Sequence, residues 1–167
     1  ESLAGRRIIV DTARDGEKFV TLDGTERTLD DAMLMINDAE KPVAVAGVMG
    51  GLNSEIEPDT KTIVIESANF AANSVRTTSK RLVLRTEASG RYEKGIDPNL
   101  CERAADRVCE LIELIGAGTV VGGSVDVYPE VAEPKTVHAR VSRINHVLGI
   151  TLSRNQMVDY LESLICM

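Results

Sequence analysis

Three short segments between Gly47 and Pro98 carry residue types that a plain core element would not use. They are Gly47-Val-Met-Gly-Gly51, Ile65-Glu-Ser-Ala-Asn-Phe70 and Arg85-Thr-Glu-Ala-Ser-Gly-Arg-Tyr-Glu-Lys-Gly-Ile-Asp-Pro98. In each, small residues, hydroxyls or a carboxylate interrupt a stretch that otherwise reads as an apolar strand, the pattern of a pocket wall. Glu66 follows the apolar run Ile63-Val-Ile65. An ionised carboxylate at that place can accept a ligand O–H in a charge-assisted bond; an ordinary exposed strand-end glutamate accounts for the residue equally simply. Gly47, Gly50 and Gly51 let backbone approach a ligand and turn amide N–H groups toward it, whereas a turn needing positive φ would explain one or two of them. No Lys-Ser/Thr pair closes the motif, so a phosphate loop of the P-loop type is disfavoured. Thr86 and Ala88 alternate along what reads as an extended segment, which puts a hydroxyl and a small side chain on one face. A polar surface strand is the plain alternative.

The elements that must position these residues are mostly strands in the first half. Arg7 to Ala13 and Lys18 to Leu22 flank Asp15-Gly16, a dipeptide suited to a tight hairpin, and Asp23-Gly24 marks a second turn. Met33 to Ile36, Val43 to Val48 and the β-branched Thr62 to Ile65 read as further strands. A long amphipathic helix follows. Asp97 caps it, Pro98 opens its first turn, and Leu100, Ala104, Val108, Leu111, Ile112 and Ile115 form its apolar face until Gly116. Glu102, Asp106, Glu110 and Glu113 point the other way. Val120 to Tyr128 reads as one more strand, Pro129 to Pro134 has linker composition, and Ser153-x-x-Gln156 is a capping box before Met157, Leu161, Leu164 and Ile165. The expected class is α+β, a layered mixed β-sheet module with one long amphipathic helix.

The 167 residues, 43% of them hydrophobic, suffice for one core and part of a second. No run approaches the roughly 18 apolar residues of a membrane span, no membrane contact is expected, and Glu1 shows no secretory signal. Since Glu1 is not an initiator methionine, the chain reads as a piece of something longer. Cys101 and Cys109 sit about 12 Å apart along a helix, beyond disulfide reach, and Cys166 has no evident partner. Such usage fits a reducing cytoplasm and indicates no metal site. A net charge of −7 and the absence of Trp argue against a general nucleic-acid binder. The charge is uneven, however: Arg76 to Lys94 carries +4 and the remainder −11. Arg76, Lys80 and Arg81 could therefore meet phosphates, or form a solvated charged face.

Together these segments closely resemble the editing module, the third and fourth domains, of the bacterial phenylalanyl-tRNA synthetase β chain. The resemblance runs from Arg6 to Leu22, through the Thr21-Leu-Asp-Gly24 run and all three segments above, into the helix after Pro98. It implies an editing module over residues 1–130, a linker over 131–136, and the truncated start of the next β-chain domain over 137–167. That last stretch, from Val137 through Arg143-Ile-Asn145 and Leu148-Gly149, departs from the family at Ile165-Cys-Met167, where a Gly-aromatic step is usual.

What the resemblance implies is hydrolytic editing of Tyr-tRNA(Phe) within a phenylalanine-tRNA ligase. A largely apolar pocket rejects an added hydroxyl only by roughly 10²-fold, so a second site that selects tyrosine is a logical remedy. By resemblance Glu66 recognises the tyrosine hydroxyl, Gly50 lines the amino-acid pocket with Gly47 and Gly51 beside it, Ala88 leaves room for the ring, and Thr86 offers its hydroxyl to substrate or water. The partners implied are the acceptor end of tRNA(Phe), held in part by Arg76, Lys80 and Arg81, the tyrosyl group, and the synthetase α chain, where ATP and magnesium belong. No cofactor is expected here. The family's catalytic-site histidine belongs to a segment just before this stretch, whereas His138 and His146 lie in the linker and tail. Two other readings stay open: a non-catalytic tRNA-docking scaffold, and a stand-alone domain acting on another aminoacyl ester.

Overall fold

A computed structural model describes residues 3–133 and 135–165. Pro134, Cys166 and Met167, on which parts of the linker and tail readings fall, lie outside the described residues. The fold is α+β, and the chain divides into two compact units between Val131 and Ala132.

The first unit contains strands β1 (Ile9–Thr12), β2 (Lys18–Val20), β3 (Glu26–Thr28), β4 (Leu34–Asn37), β5 (Pro42–Val45) and β6 (Met49–Gly50), and helices α1 (Ala72–Arg81), α2 (Glu87–Tyr92) and α3 (Cys101–Leu114). All described strand pairs are antiparallel: one sheet has the order β1-β4-β5-β6, and β2 pairs with β3. Period-2 alternation positions β5, whose Val43 and Val45 are buried, and β4 adds Met35 and Ile36 to the same core. Phe19 enters that core from β2, while its neighbours Lys18 and Val20 stay exposed.

Asp15-Gly16 is a turn but not a hairpin. Gly16 adopts φ 78° and bonds through its N–H to the Leu29 carbonyl, yet β1 pairs with β4 and β2 with β3. Turn chemistry fixes a local reversal; strand partners follow from burial, and the side chains of β1 are all exposed while those of β4 form core. The hairpin turn is the second one, at Asp23-Gly24, where Asp23 accepts from the Thr21 hydroxyl at 2.6 Å and from Arg27 at 2.7 Å.

Two expected strands, Thr62 to Ile65 and Val120 to Tyr128, form no ladder among the described residues. β-branched residues favour strands only where a neighbouring edge accepts them, and Val64, Val121, Val125 and Val127 face solvent. The segment after Ile65 is instead pinned by side chains: the Ser67 hydroxyl donates to the Cys101 carbonyl at 2.7 Å and the Asn69 amide to the Ile96 carbonyl at 2.6 Å. The long helix stands where expected, entered through a 3-10 turn that Asp97 caps by accepting from Asn99 N–H. Its inward face is rotated by one residue: Cys101, Ala105, Cys109 and Ile112 are half-buried, while Leu100, Val108, Leu111 and Ile115 of the expected apolar face are exposed. The acidic residues face solvent as expected.

In the second unit, α4 (Val141–Leu148) and α5 (Arg154–Ile165) are joined by a turn that Asn145 braces, its side chain bonding both N–H and C=O of Leu152. The Ser153/Gln156 box is present, with Gln156 N–H reaching the Ser153 hydroxyl and Ser153 N–H reaching the Gln156 side chain. Among the described residues no helix is long and apolar enough to cross a membrane.

Asp38 ties the start of the first unit to its sheet. The Lys41 ammonium and the backbone N–H groups of Ala4, Glu40 and Lys41 converge on its carboxylate, and these bonds hold its pKa far below the usual carboxylate range. A depressed folded pKa gives stability that is present above the unfolded value of about 4 and lost as pH falls toward the folded one. Asp38→Asn should therefore lower stability at pH 7 and flatten its dependence on pH below about 4. Urea midpoints for both proteins from pH 2 to 7 measure this; parallel curves would show that Asp38 is not the responsible group.

Candidate functional site

The glycine loop leaves β5 through a tight turn closed by Val48 N–H on the Val45 carbonyl at 3.0 Å. Gly47 takes φ 67° there, and a Cβ on it would stand 2.9 Å from the Phe70 ring and a Val75 methyl and 3.3 Å from the Tyr92 ring. Close backbone approach thus seats the loop on an aromatic pair. Phe70 and Tyr92 meet edge to face, with centroids 5.1 Å apart, a geometry that adds to their buried area. The Tyr92 hydroxyl donates to the Ala68 carbonyl at 2.9 Å, fixing the irregular segment that carries Glu66 two residues earlier.

Glu66 remains open to solvent, but the protein atoms around it displace enough water to raise its carboxyl pKa. Tyr92 is also raised, first by its own burial and then by the negative charge of Glu66, which places the two groups in one electrostatic neighbourhood. Among the described residues no hydrogen bond or ion pair engages the Glu66 carboxylate. It is available as an acceptor.

Thr86 is not on an extended face with Ala88. It is the N-cap of α2: its hydroxyl oxygen accepts from Ser89 N–H at 3.1 Å, and the Ser89 hydroxyl accepts from Thr86 N–H at 2.9 Å. The strand reading failed because Thr-x-x-Ser is a helix start, with both side chains turned back on the backbone. The Thr86 hydroxyl also donates to the Val48 carbonyl at 2.7 Å, fastening α2 to the glycine loop. One hydroxyl has one proton and two lone pairs. With the proton on Val48 and one lone pair on Ser89 N–H, the remaining capacity of Thr86 is to accept. Beneath it, Ser89 and Ser79 are buried, and the Ser79 hydroxyl donates to the Leu84 carbonyl at 2.7 Å, joining α1 to the same corner.

Gly47, Glu66 and Thr86 are therefore brought together through Val48, Phe70 and Tyr92. Gly50 has no atom within 4 Å of where a Cβ would stand, and so faces open space. Gly51 lies elsewhere, buried against Phe19 and the Val43 carbonyl with an isolated bridge to Thr21. Ala88 is exposed in the first turn of α2. On α1, Arg81 pairs with Asp30 at 2.8 Å, whereas Arg76 and Lys80 make no ion pair among the described residues. His138 and His146 belong to the second unit. Sequence reasoning passed over Phe70, Ser79, Ser89 and Tyr92; a chain with only two Phe and three Tyr offered scarcity as the signal for the aromatics.

A groove of about 420 Å³ is lined by Lys18, Phe19, Val20, Pro42, Leu52 and Asn53. None of the candidate residues borders it. Its polar groups are already engaged, Lys18 with Glu26 and Thr28 and the Asn53 amide with the Pro42 carbonyl, so it offers less directed chemistry than the Glu66 corner.

Residues 1–117 match the family described as the B3/4 domain. Over 162 residues, 97% of this chain, the sequence is 49% identical to the phenylalanine–tRNA ligase beta subunits of Clostridium acetobutylicum and Moorella thermoacetica, covering 20% of each. The same identity and coverage of this chain hold for the beta subunit of Symbiobacterium thermophilum, of which 18% is covered. The chain thus spans about a fifth of the length of the curated relatives it matches. With the match extending from the first strand through the glycine loop, the Glu66 segment and α3, the chain belongs to the B3/4 domain family.

Proposed function

We propose that this chain is the region of a phenylalanine–tRNA ligase β subunit that recognises tyrosine on mischarged tRNA(Phe) and hydrolyses its ester. The observation that carries the reading is Glu66: a partly desolvated carboxylate that makes no hydrogen bond or ion pair among the described residues, beside the Phe70–Tyr92 pair and the glycine loop. A phenol O–H satisfies that acceptor, and phenylalanine leaves it unpaired, which is the arrangement that discriminates strongly. Thr86 acts as an acceptor, able to hold a donor such as the attacking water. It does not serve as an oxyanion donor, because its proton is committed to Val48.

In the whole enzyme the partners are tRNA(Phe) and the α chain, where ATP and magnesium act, and the setting is cytoplasmic. A non-catalytic RNA-docking scaffold is the second reading, favoured by Arg76 and Lys80, which make no ion pair among the described residues. Paired titration with tyrosine and phenylalanine separates the two, since a scaffold has no reason to hold tyrosine. Gly50→Trp is the matching variant. Open space at Gly50 lets the indole be accommodated without unfolding, so tyrosine binding should be lost while the urea midpoint stays within the wild-type range. Intact tyrosine affinity in a folded Gly50→Trp protein removes Gly50 from the pocket.

A further inference from the structure

The segment that carries Glu66 is held from one side only. Residues 61–65 form no ladder among the described residues, and Ile63 and Val64 are exposed, so no packing upstream fixes the carboxylate. Downstream, three consecutive residues are each tied to the stretch that begins where α2 ends: Ser67 to the Cys101 carbonyl, Ala68 to the Tyr92 hydroxyl and Asn69 to the Ile96 carbonyl. The Ser67 and Asn69 bonds are made by side chains, which can keep a partner while the backbone shifts beneath them by a change of rotamer. The Tyr92 bond instead grips the backbone. At 2.9 Å it fixes the peptide plane of Ala68, two residues from Glu66.

Tyr92 is also the last residue of α2, the helix that Thr86 caps at its other end. Thr86 fastens that end to the glycine loop through the Val48 carbonyl at 2.7 Å. A helix of six residues is a strut of about 9 Å, so α2 joins the Thr86 hydroxyl to the backbone of the Glu66 segment. The Tyr92 ring is itself fixed: it meets Phe70 edge to face and lies against Gly47, where a Cβ would come within 3.3 Å of it. With the ring held, its hydroxyl reaches one point.

We propose that Tyr92 is a positioning residue for selectivity: through α2 and the Ala68 carbonyl it holds Glu66 where a ligand phenol bound at the glycine loop and Thr86 can reach the carboxylate. This role rests on the function proposed above. Tyr92 touches no ligand and acts only through Glu66. The electrostatics make its effect readable. Burial raises the Tyr92 phenol, with Glu66 and Cys101 adding to it, and burial raises the Cys101 thiol, with Asp126 and Asp97 adding to it. Both groups are therefore neutral at pH 7, and removing the Tyr92 hydroxyl changes no charge near Glu66. Any movement of the Glu66 pKa in Tyr92→Phe then reports a change in its hydration.

The test uses the full chain and Tyr92→Phe, which keeps the ring against Phe70 and Gly47 and removes only the hydroxyl. Tyrosine and phenylalanine are titrated against wild type, Tyr92→Phe, Glu66→Gln and the double variant, and the Glu66 carboxyl is followed by carbon NMR in wild type and Tyr92→Phe. With one neutral hydrogen bond lost, the preference for tyrosine over phenylalanine should fall about three- to tenfold in Tyr92→Phe. Phenylalanine affinity should not change, and the Glu66 pKa should move down toward its ordinary value as water reaches the carboxylate. In the Glu66→Gln background the same substitution should alter the preference less than about twofold, since the group it positions is gone. Asp38→Asn, which weakens the unit at the Ala4 tie instead, should leave the preference as it is. An undiminished preference in Tyr92→Phe, an equal loss with and without the Glu66 carboxylate, or an unmoved Glu66 pKa overturns the proposal. So does an equal loss in Asp38→Asn, which makes Tyr92 a stability residue only. These failures leave the pocket standing as long as wild type prefers tyrosine and Glu66→Gln does not. A wild type without that preference overturns both readings.

Discussion

Glu66→Gln is expected to weaken tyrosine binding about 10- to 150-fold while leaving the protein as stable at pH 7 as before, or more so. The first half follows from the worth of a hydrogen bond to a charged acceptor, roughly 1.5 to 3 kcal/mol net. The second follows from the direction of the pKa shift. Desolvation raises the Glu66 carboxyl above its unfolded value of about 4.3. The folded state is therefore favoured when Glu66 is protonated, and that advantage is lost as pH rises through the raised pKa. At neutral pH the ionised group opposes folding, and the neutral amide removes the opposition. A carboxylate that burial disfavours and that makes no hydrogen bond or ion pair among the described residues is the kind of group a ligand would satisfy. Phenylalanine affinity should hold or rise. Tyrosine preference in the wild type should also fade as pH drops through the Glu66 pKa, a dependence that the glutamine variant lacks. The decisive outcome is the pair of titrations: an undiminished tyrosine preference in Glu66→Gln leaves the carboxylate without a recognition role.

Much of this corner was legible in the residues, for reasons that differ from segment to segment. Glu66 stood out because a charge after Ile63-Val-Ile65 breaks an apolar run, and among the described residues it makes no hydrogen bond or ion pair. The geometry that carries it was less legible. The β-branched residues before it signal a strand, but with no edge to pair with, the segment is shaped by the Ser67, Asn69 and Tyr92 hydrogen bonds, which join residues 24 to 34 positions apart. Long-range bonds of that kind leave no local trace. Thr86 was found and its backbone misread, because Thr-x-x-Ser caps a helix without the usual acidic third residue. Helix α1 was missed altogether: its buried residues are Val75, Thr78 and Ser79, and two hydroxyls in three positions do not register as an apolar face. The α3 helix was read correctly in extent, from Asp97 and Gly116, but its inward face takes Cys101, Ala105 and Cys109, smaller residues that allow closer packing than Leu100 or Val108 would.

The three glycines of the loop should respond to alanine in three different ways, and the contrast tests whether they form a mere turn. At Gly47 the added methyl would meet Phe70 and Val75 at 2.9 Å and must also adopt φ 67°. Left-handed strain costs about 1–2 kcal/mol and overpacking about 1–3 kcal/mol more, so Gly47→Ala should lose roughly 2–5 kcal/mol, a large share of the 5–15 kcal/mol typical of a domain. Gly51 has φ −87°, which alanine accepts, but its Cβ would lie 2.8 Å from the Val43 carbonyl, a backbone atom held in the sheet. There the loss should be comparable and purely steric. At Gly50 neither obstacle exists, and Gly50→Ala should change stability by less than about 0.5 kcal/mol. A turn that only needs positive φ predicts harm at Gly47 alone. Urea unfolding of the three variants decides between the accounts, and a Gly51→Ala protein as stable as wild type would show that the sheet yields where the carbonyl contact says it cannot. If the ordering holds, the loop presses Gly47 onto the aromatic pair and Gly51 into the sheet, and of the three only Gly50 has room beside it for a ligand.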